Sequence, residues 1–114
     1  MPDQAATIIE RRPNVIVVHV QPERLDEPSL KALRADTAAA GASAPGTPVV
    51  LDMAKVAFMA SLSLGGLVQL TQAFKARQQR LILANLQPGV RETIAITRLD
   101  RLFEIVDDLS SLVV

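Results

Sequence analysis

The chain has 114 residues, with 12 Lys+Arg against 12 Asp+Glu, one His, no Cys, Trp or Tyr, and 49% hydrophobic residues. That length fits one compact domain, residues 1–114, and a balanced charge spread from Asp3 to Asp108 withholds the positive excess that direct nucleic-acid binding or an anionic membrane surface requires. Without cysteine there is no disulfide framework or thiolate chemistry, His19 is the only imidazole, and no set of nucleophile, base and orienting group can be written, so a binding protein is expected rather than an enzyme, with no metal and no cofactor.

Met1 to Glu10 carries two acidic residues and no basic stretch before an apolar run, so it does not read as a secretory signal, and a cytoplasmic location is expected. Thr7-Ile8-Ile9-Glu10 is short and β-branched, Arg12-Pro13-Asn14 reads as a turn, and Val15 to Val20 reads as a strand. Both alternating faces of that strand are largely apolar, which predicts a central position covered on two sides. Asp26 before Glu27-Pro28 places a capping side chain and an early proline at a helix start, and Leu30, Leu33 and Thr37 supply the apolar stripe. The alanine tract 38–40 ends at Gly41, and 42–48 is a small-residue connection within the domain. Val49-Val50-Leu51-Asp52 is a second buried strand.

Val56 to Phe74 runs 19 residues without a charge, long enough to cross a bilayer, but only 12 of them are apolar. Serines, glycines, glutamines and Thr71 interrupt the run, so a buried helix without membrane insertion is expected, preceded by a strand end and a turn. From Leu64 onward Leu67, Val68, Thr71 and Phe74 recur at helical spacing, with Gln69, Gln72 and Lys75 facing outward. Arg80 to Asn85 is the next strand. Gln87-Pro88-Gly89 opens a helix in which Val90, Ile94 and Thr97 share a face, Leu102 to Val106 is a last strand, and Asp107-Asp108 starts a helical turn through Leu112. This alternation predicts an α/β domain, a mixed sheet of about five strands with about four helices, whose core contains Val17, Val50, Leu67, Val68, Leu83 and Ile94.

Four segments resemble one family. Val49-Val50-Leu51-Asp52-Met53, followed by Val56 to Gly65, is similar to the STAS domain of bacterial anti-sigma-factor antagonists, where the pattern reads hydrophobic-hydrophobic-Asp-Ser-Ser/Thr-Gly-Leu-Gly. Leu25-Asp26 matches a Leu-Asp at the start of the first helix, Leu81 to Val90 resembles the strand and Ser-Pro-x-Val segment, and Leu99-Asp100-Arg101-Leu102-Phe103 resembles the Gly-Leu-x-x-Leu-Phe close. The resemblance implies the STAS fold and a partner-switching regulator. Such a domain, unmodified, binds an anti-sigma factor that is also a serine kinase. Phosphorylation of a serine at the start of the second helix ends the binding, and a serine phosphatase restores it. Carried over by position, the acceptor is Ser61, with Ser63 the alternative, and the partner-binding surface comprises Asp26, Ala60, Ser61, Leu62 and Ser63.

Elementary electrostatics agrees with a switch at Ser61, because a helix N-terminus favours negative charge while a phosphate adds roughly −1.5 to −2 charge to the surface. Ser61 or Ser63 is also explained as a plain N-cap, worth on the order of 1 kcal/mol, and Asp26 as a cap of the first helix. The sequence departs from the pattern at Ala60 (usually Asp), Leu62 (usually Ser or Thr) and Ser63 (usually Gly). Those changes suit a constitutive scaffold or a STAS subunit of a transport assembly, and a small-molecule or nucleotide-binding domain is a third possibility. Gly65-Gly66 lacks the Lys-Ser/Thr of a phosphate loop, Asp107-Asp108 lacks converging ligands, and His19 is assigned no role.

Overall fold

The computed structural model describes residues 6–112. In chain order the strands are β1 (Thr7–Arg12), β2 (Val15–Val20), β3 (Arg24–Leu25), β4 (Val49–Asp52), β5 (Phe58–Met59), β6 (Leu81–Ala84) and β7 (Glu104–Val106). The helices are α1 (Glu27–Ala42), α2 (Ser61–Ala76) and α3 (Pro88–Ile96), and 3-10 turns occupy Leu99–Leu102 and Leu109–Leu112. β-Branched residues, stiff at χ1 and suited to a pleated surface, dominate β2, which pairs antiparallel with β1 across a turn at Pro13-Asn14. β4, β6 and β7 then add in parallel, giving a mixed five-stranded sheet in the order β1-β2-β4-β6-β7, while β3 and β5 form a separate two-residue parallel ladder.

The two-residue period of the strands divides the core. Ile16, Val18 and Val20 face the same way as Leu51 and Leu83, into a cluster closed by Leu33, Leu67, Phe74 and Ile94 from the helices. Val15 and Val17 face the opposite way with Val50, Ile82 and Ala84, where Val106 and Leu109 pack against them. The six expected core residues are therefore not one cluster. Val17 and Val50 lie across the sheet from Leu67, Leu83 and Ile94, and Val68 is half-buried at the edge of the helix-side cluster.

Several boundaries differ from the sequence reading. α2 starts at Ser61, three residues before its apolar stripe begins at Leu64, and β3 was not anticipated. The mixed sheet has the expected five strands, and the expected helices, about four, are three α-helices and two 3-10 turns. Leu99–Leu102 winds into the first of these turns from Arg98, whose φ is 61°, so the last strand shortens to Glu104–Val106. Thr97 is exposed at the C-cap of α3 instead of sharing its buried face, with its hydroxyl donated to Thr93 O and Ile94 O. The connection 43–48 is held by the buried Gln79, whose amide nitrogen lies 3.0, 3.1 and 2.8 Å from the carbonyls of Gly41, Ala44 and Thr47. Among the described residues no helix is long and apolar enough to cross a membrane.

Candidate functional site

The β3–β5 ladder places two helix starts side by side. Leu25 pairs with Met59, both buried, and the next residue on each strand, Asp26 and Ala60, is the N-cap of α1 and α2 respectively. The caps differ in chemistry. Asp26 Oδ1 accepts the Ser29 N–H at 3.0 Å, and that backbone hydrogen bond, reinforced by the Ser29 hydroxyl, holds the carboxyl below its ordinary range. Ala60 supplies no side-chain acceptor, and the first turn of α2 carries no acid. The positive end of the α2 dipole is therefore open to solvent.

Ser61 is the first residue of α2 and exposed, and its hydroxyl makes no hydrogen bond among the described residues. Leu62 is 67% exposed and Phe58 is 50% exposed, with the Arg24 guanidinium 4.8 Å over its ring. Asp26, Ala60, Ser61 and Leu62 thus share one surface. Ser63 does not. It is buried, and its Oγ donates to Leu25 O at 2.7 Å, so the hydroxyl fastens α2 to β3 instead of facing a partner or a kinase. Phe58 and Arg24 were missed in the sequence. The available signal was alternation: once Met59 points into the core, Phe58 must point out.

A second polar cluster lies on the sheet face away from the helices. His19 Nδ1 is 2.7 Å from Asp52 and Nε2 is 2.7 Å from Glu10, and Asp52 also accepts Asn85 Nδ2 at 2.9 Å and the Ala54 N–H at 3.1 Å. Partial burial alone would lower the His19 pKa, but the hydrogen bonds to Glu10 and Asp52 overcome it and raise it. With a carboxylate at each ring nitrogen, the arrangement favours the imidazolium, in which both nitrogens donate. Glu10, bonded first to Arg12 and then to His19, is lowered to about 2. Asp52 is lowered as well, its burial outweighed by Asn85, His19 and Ala54. His19, to which the sequence gave no role, ties β1 and β2 to β4. Among the described residues no group of His, Asp and Glu is arranged to hold a metal ion.

The family model of the STAS domain matches residues 6–112. The fold is shared with an anti-sigma-factor antagonist (STAS) domain protein from Planctomyces limnophilus, 21% identical with 96% of each chain covered and a TM-score of 0.80. An anti-sigma factor antagonist from Mycobacterium paratuberculosis is 26% identical over 97% of this chain and 92% of the other, with a TM-score of 0.79. The same fold occurs in the murine anion transporter Slc26a9, 16% identical over 89% of this chain but 17% of the transporter, with a TM-score of 0.73. An α/β domain with a mixed five-stranded sheet and two juxtaposed helix starts is what these features define. The chain belongs to the STAS domain family, whose antagonist members are binding proteins and not enzymes.

Proposed function

We propose that this chain is an anti-sigma-factor antagonist that docks on a serine-kinase anti-sigma factor through the surface of Asp26, Ala60, Ser61 and Leu62, and that phosphorylation of Ser61 releases it. The observation that carries the reading is an exposed serine with a free hydroxyl at the open N-terminus of α2, flanked by exposed Phe58 and Leu62. Transfer moves the γ-phosphoryl of ATP to Ser61 Oγ, with loss of the hydroxyl proton and departure of ADP. The added charge is welcome to the helix dipole, by about 0.3–1 kcal/mol, but it stands beside the Asp26 carboxylate, so a partner matched to that single acid is repelled. A STAS protein, the Bacillus determinant SpoIIAA, is known in a phosphorylated form. Between the two serines, Ser61 is favoured because the Ser63 hydroxyl is buried and donated to Leu25 O. A serine phosphatase would reset the switch.

Leu62 and Ala60 favour a second reading, constitutive docking as a scaffold or transporter subunit, because an apolar residue at the turn and a missing acid suit a permanent interface. Incubation with the serine kinase of the same genome and ATP, followed by tandem mass spectrometry of the tryptic peptide 56–75, separates the two. Label on Ser61, its loss in Ser61→Ala, and binding weakened about tenfold or more in Ser61→Asp with unchanged circular dichroism support the switch. A partner retained equally by the wild type and Ser61→Asp, with no label, establishes constitutive docking instead.

A further inference from the structure

α1 and α2 leave an open groove of about 990 Å³ between them. Its lining runs from Glu27 and Leu62 at one end to Ala38 and Ala73 at the other. Eleven residue steps along each helix are about 16 Å, the length of three helical turns. The groove narrows where Gly66 meets Leu30, since a Cβ on Gly66 would lie 2.4 Å from Leu30 Cδ2. Gly65 is different. It also lines the groove, yet a Cβ there would meet nothing within 4 Å. Glycine inside a helix costs about 1 kcal/mol relative to alanine, and no contact among the described residues accounts for it at position 65. What the bare backbone does is keep the middle of the groove open to another chain.

The rim carries the second observation. Lys31 and Arg34 stand three residues apart on α1 and neither makes an ion pair among the described residues, while the facing edge of α2 offers the neutral Gln69. Glu27, one helical turn before Lys31, is the one acid among the described lining residues. We infer that the groove receives an amphipathic helix of about three turns from a partner protein, with small apolar side chains against Gly65 and acidic side chains against Lys31 and Arg34. A second copy of this chain would set one basic rim against another, so the charge selects a different, acidic partner. A membrane surface would meet the cations but could not enter a channel walled by two helices. The inference goes beyond the switch at Ser61 and does not depend on it.

Two synthetic helical peptides of about 16 residues test it, sharing a Leu/Ala stripe at i, i+3, i+4 and i+7 but flanked by Glu in one and Lys in the other. Fluorescence anisotropy with the full chain is expected to show micromolar binding of the Glu peptide, weakened by salt, and about tenfold weaker binding of the Lys peptide. Gly65→Leu, which fills the groove where the fold has room, should abolish binding without lowering the unfolding midpoint. Lys31→Glu with Arg34→Glu should reverse the peptide preference. Peptide binding is measured without kinase or ATP, on the unphosphorylated chain, so failure of the phosphorylation switch and failure of the groove are read separately. The inference is overturned if neither peptide binds at millimolar concentration or if Gly65→Leu binds like the wild type. It is also overturned if sedimentation reveals a dimer that Gly65→Leu dissolves, or if phosphatidylglycerol vesicles bind the chain and the peptides do not.

Discussion

Replacing His19 with Gln removes the imidazole that ties β1 and β2 to β4, and the consequence can be sized from its two contacts. Both are 2.7 Å long, but their surroundings differ: the Asp52 side chain is 15% exposed and that of Glu10 is 42% exposed. The Glu10 contact is screened by water and contributes little. The Asp52 contact is a half-shielded hydrogen bond between charged groups, so the loss is about 1.5–2 kcal/mol, the low end of the range for such bonds. The pH dependence follows from the directions of the shifts. The His19 pKa is raised in the native state, so its contribution is whole below the unfolded value near 6.5 and is lost as pH rises through the native one. Asp52 and Glu10 are lowered, so theirs is present above the ordinary carboxylate range, about 4, and is lost as pH falls. The tie is therefore complete between roughly pH 4.5 and 6.5. Urea unfolding of the wild type should show a midpoint that falls from about pH 6 to 9, whereas His19→Gln should start lower, stay flat over that interval and meet the wild type at the alkaline end. Equal midpoints near pH 5.5, or parallel decline in both proteins, would refute the assignment of an imidazolium at this position.

The paired glycines of α2 should respond in opposite senses to the same change. Gly66→Ala drives a Cβ against buried Leu30 and should lower stability by about 1–3 kcal/mol, whereas Gly65→Ala should raise it by about 1 kcal/mol, and a urea midpoint that moves the same way for both would contradict the contacts described. Ser63→Ala deprives the buried Leu25 carbonyl of its donor and should cost about 1–3 kcal/mol in chemical denaturation, with wild-type stability in the variant arguing that the bond is dispensable. Gln79→Glu sets a carboxylate among three carbonyl oxygens and should loosen the 43–48 connection, which proteinase K would then cut faster than in the wild type; unchanged cutting would show that the connection holds itself.

The periodic parts of the chain were legible in the sequence because burial writes itself into spacing. β2 and β4 are flagged by β-branched runs and β6 by a short apolar one, and the Asp-Glu-Pro start of α1 predicts the cap that Asp26 makes with Ser29. The division of Val17 and Val50 from Leu67 and Leu83 follows from strand alternation and could have been drawn from it. β3 could not, since two residues carry no period and their pairing is decided by Met59 and Ser63, more than 30 positions away. The start of α2 has no periodic mark for a related reason: Ala60 gives no capping signal and the apolar stripe begins only at Leu64, so Ser61 was placed there by the family pattern alone. Within the candidate site, Ser61 and Leu62 are exposed whereas Ser63 turns inward, and sequence spacing cannot tell which of two nearby hydroxyls bonds a buried carbonyl. His19 was passed over because its partners come from two other strands.

The ladder that positions the site is two residues long and joins segments 38 positions apart at its Ser63–Leu25 fastening. So few bonds closing so long a loop give the junction a local opening free energy well below that of the five-stranded sheet. Amide protons of Arg24 to Met59 that belong to the ladder should exchange by a sub-global route while those of β4 and β6 wait for complete unfolding. The two helix starts would then separate and rejoin many times within the lifetime of one folded molecule, and a partner that grips both Asp26 and Ser61 would suppress that breathing, leaving its footprint in exchange rates even where its contacts are few.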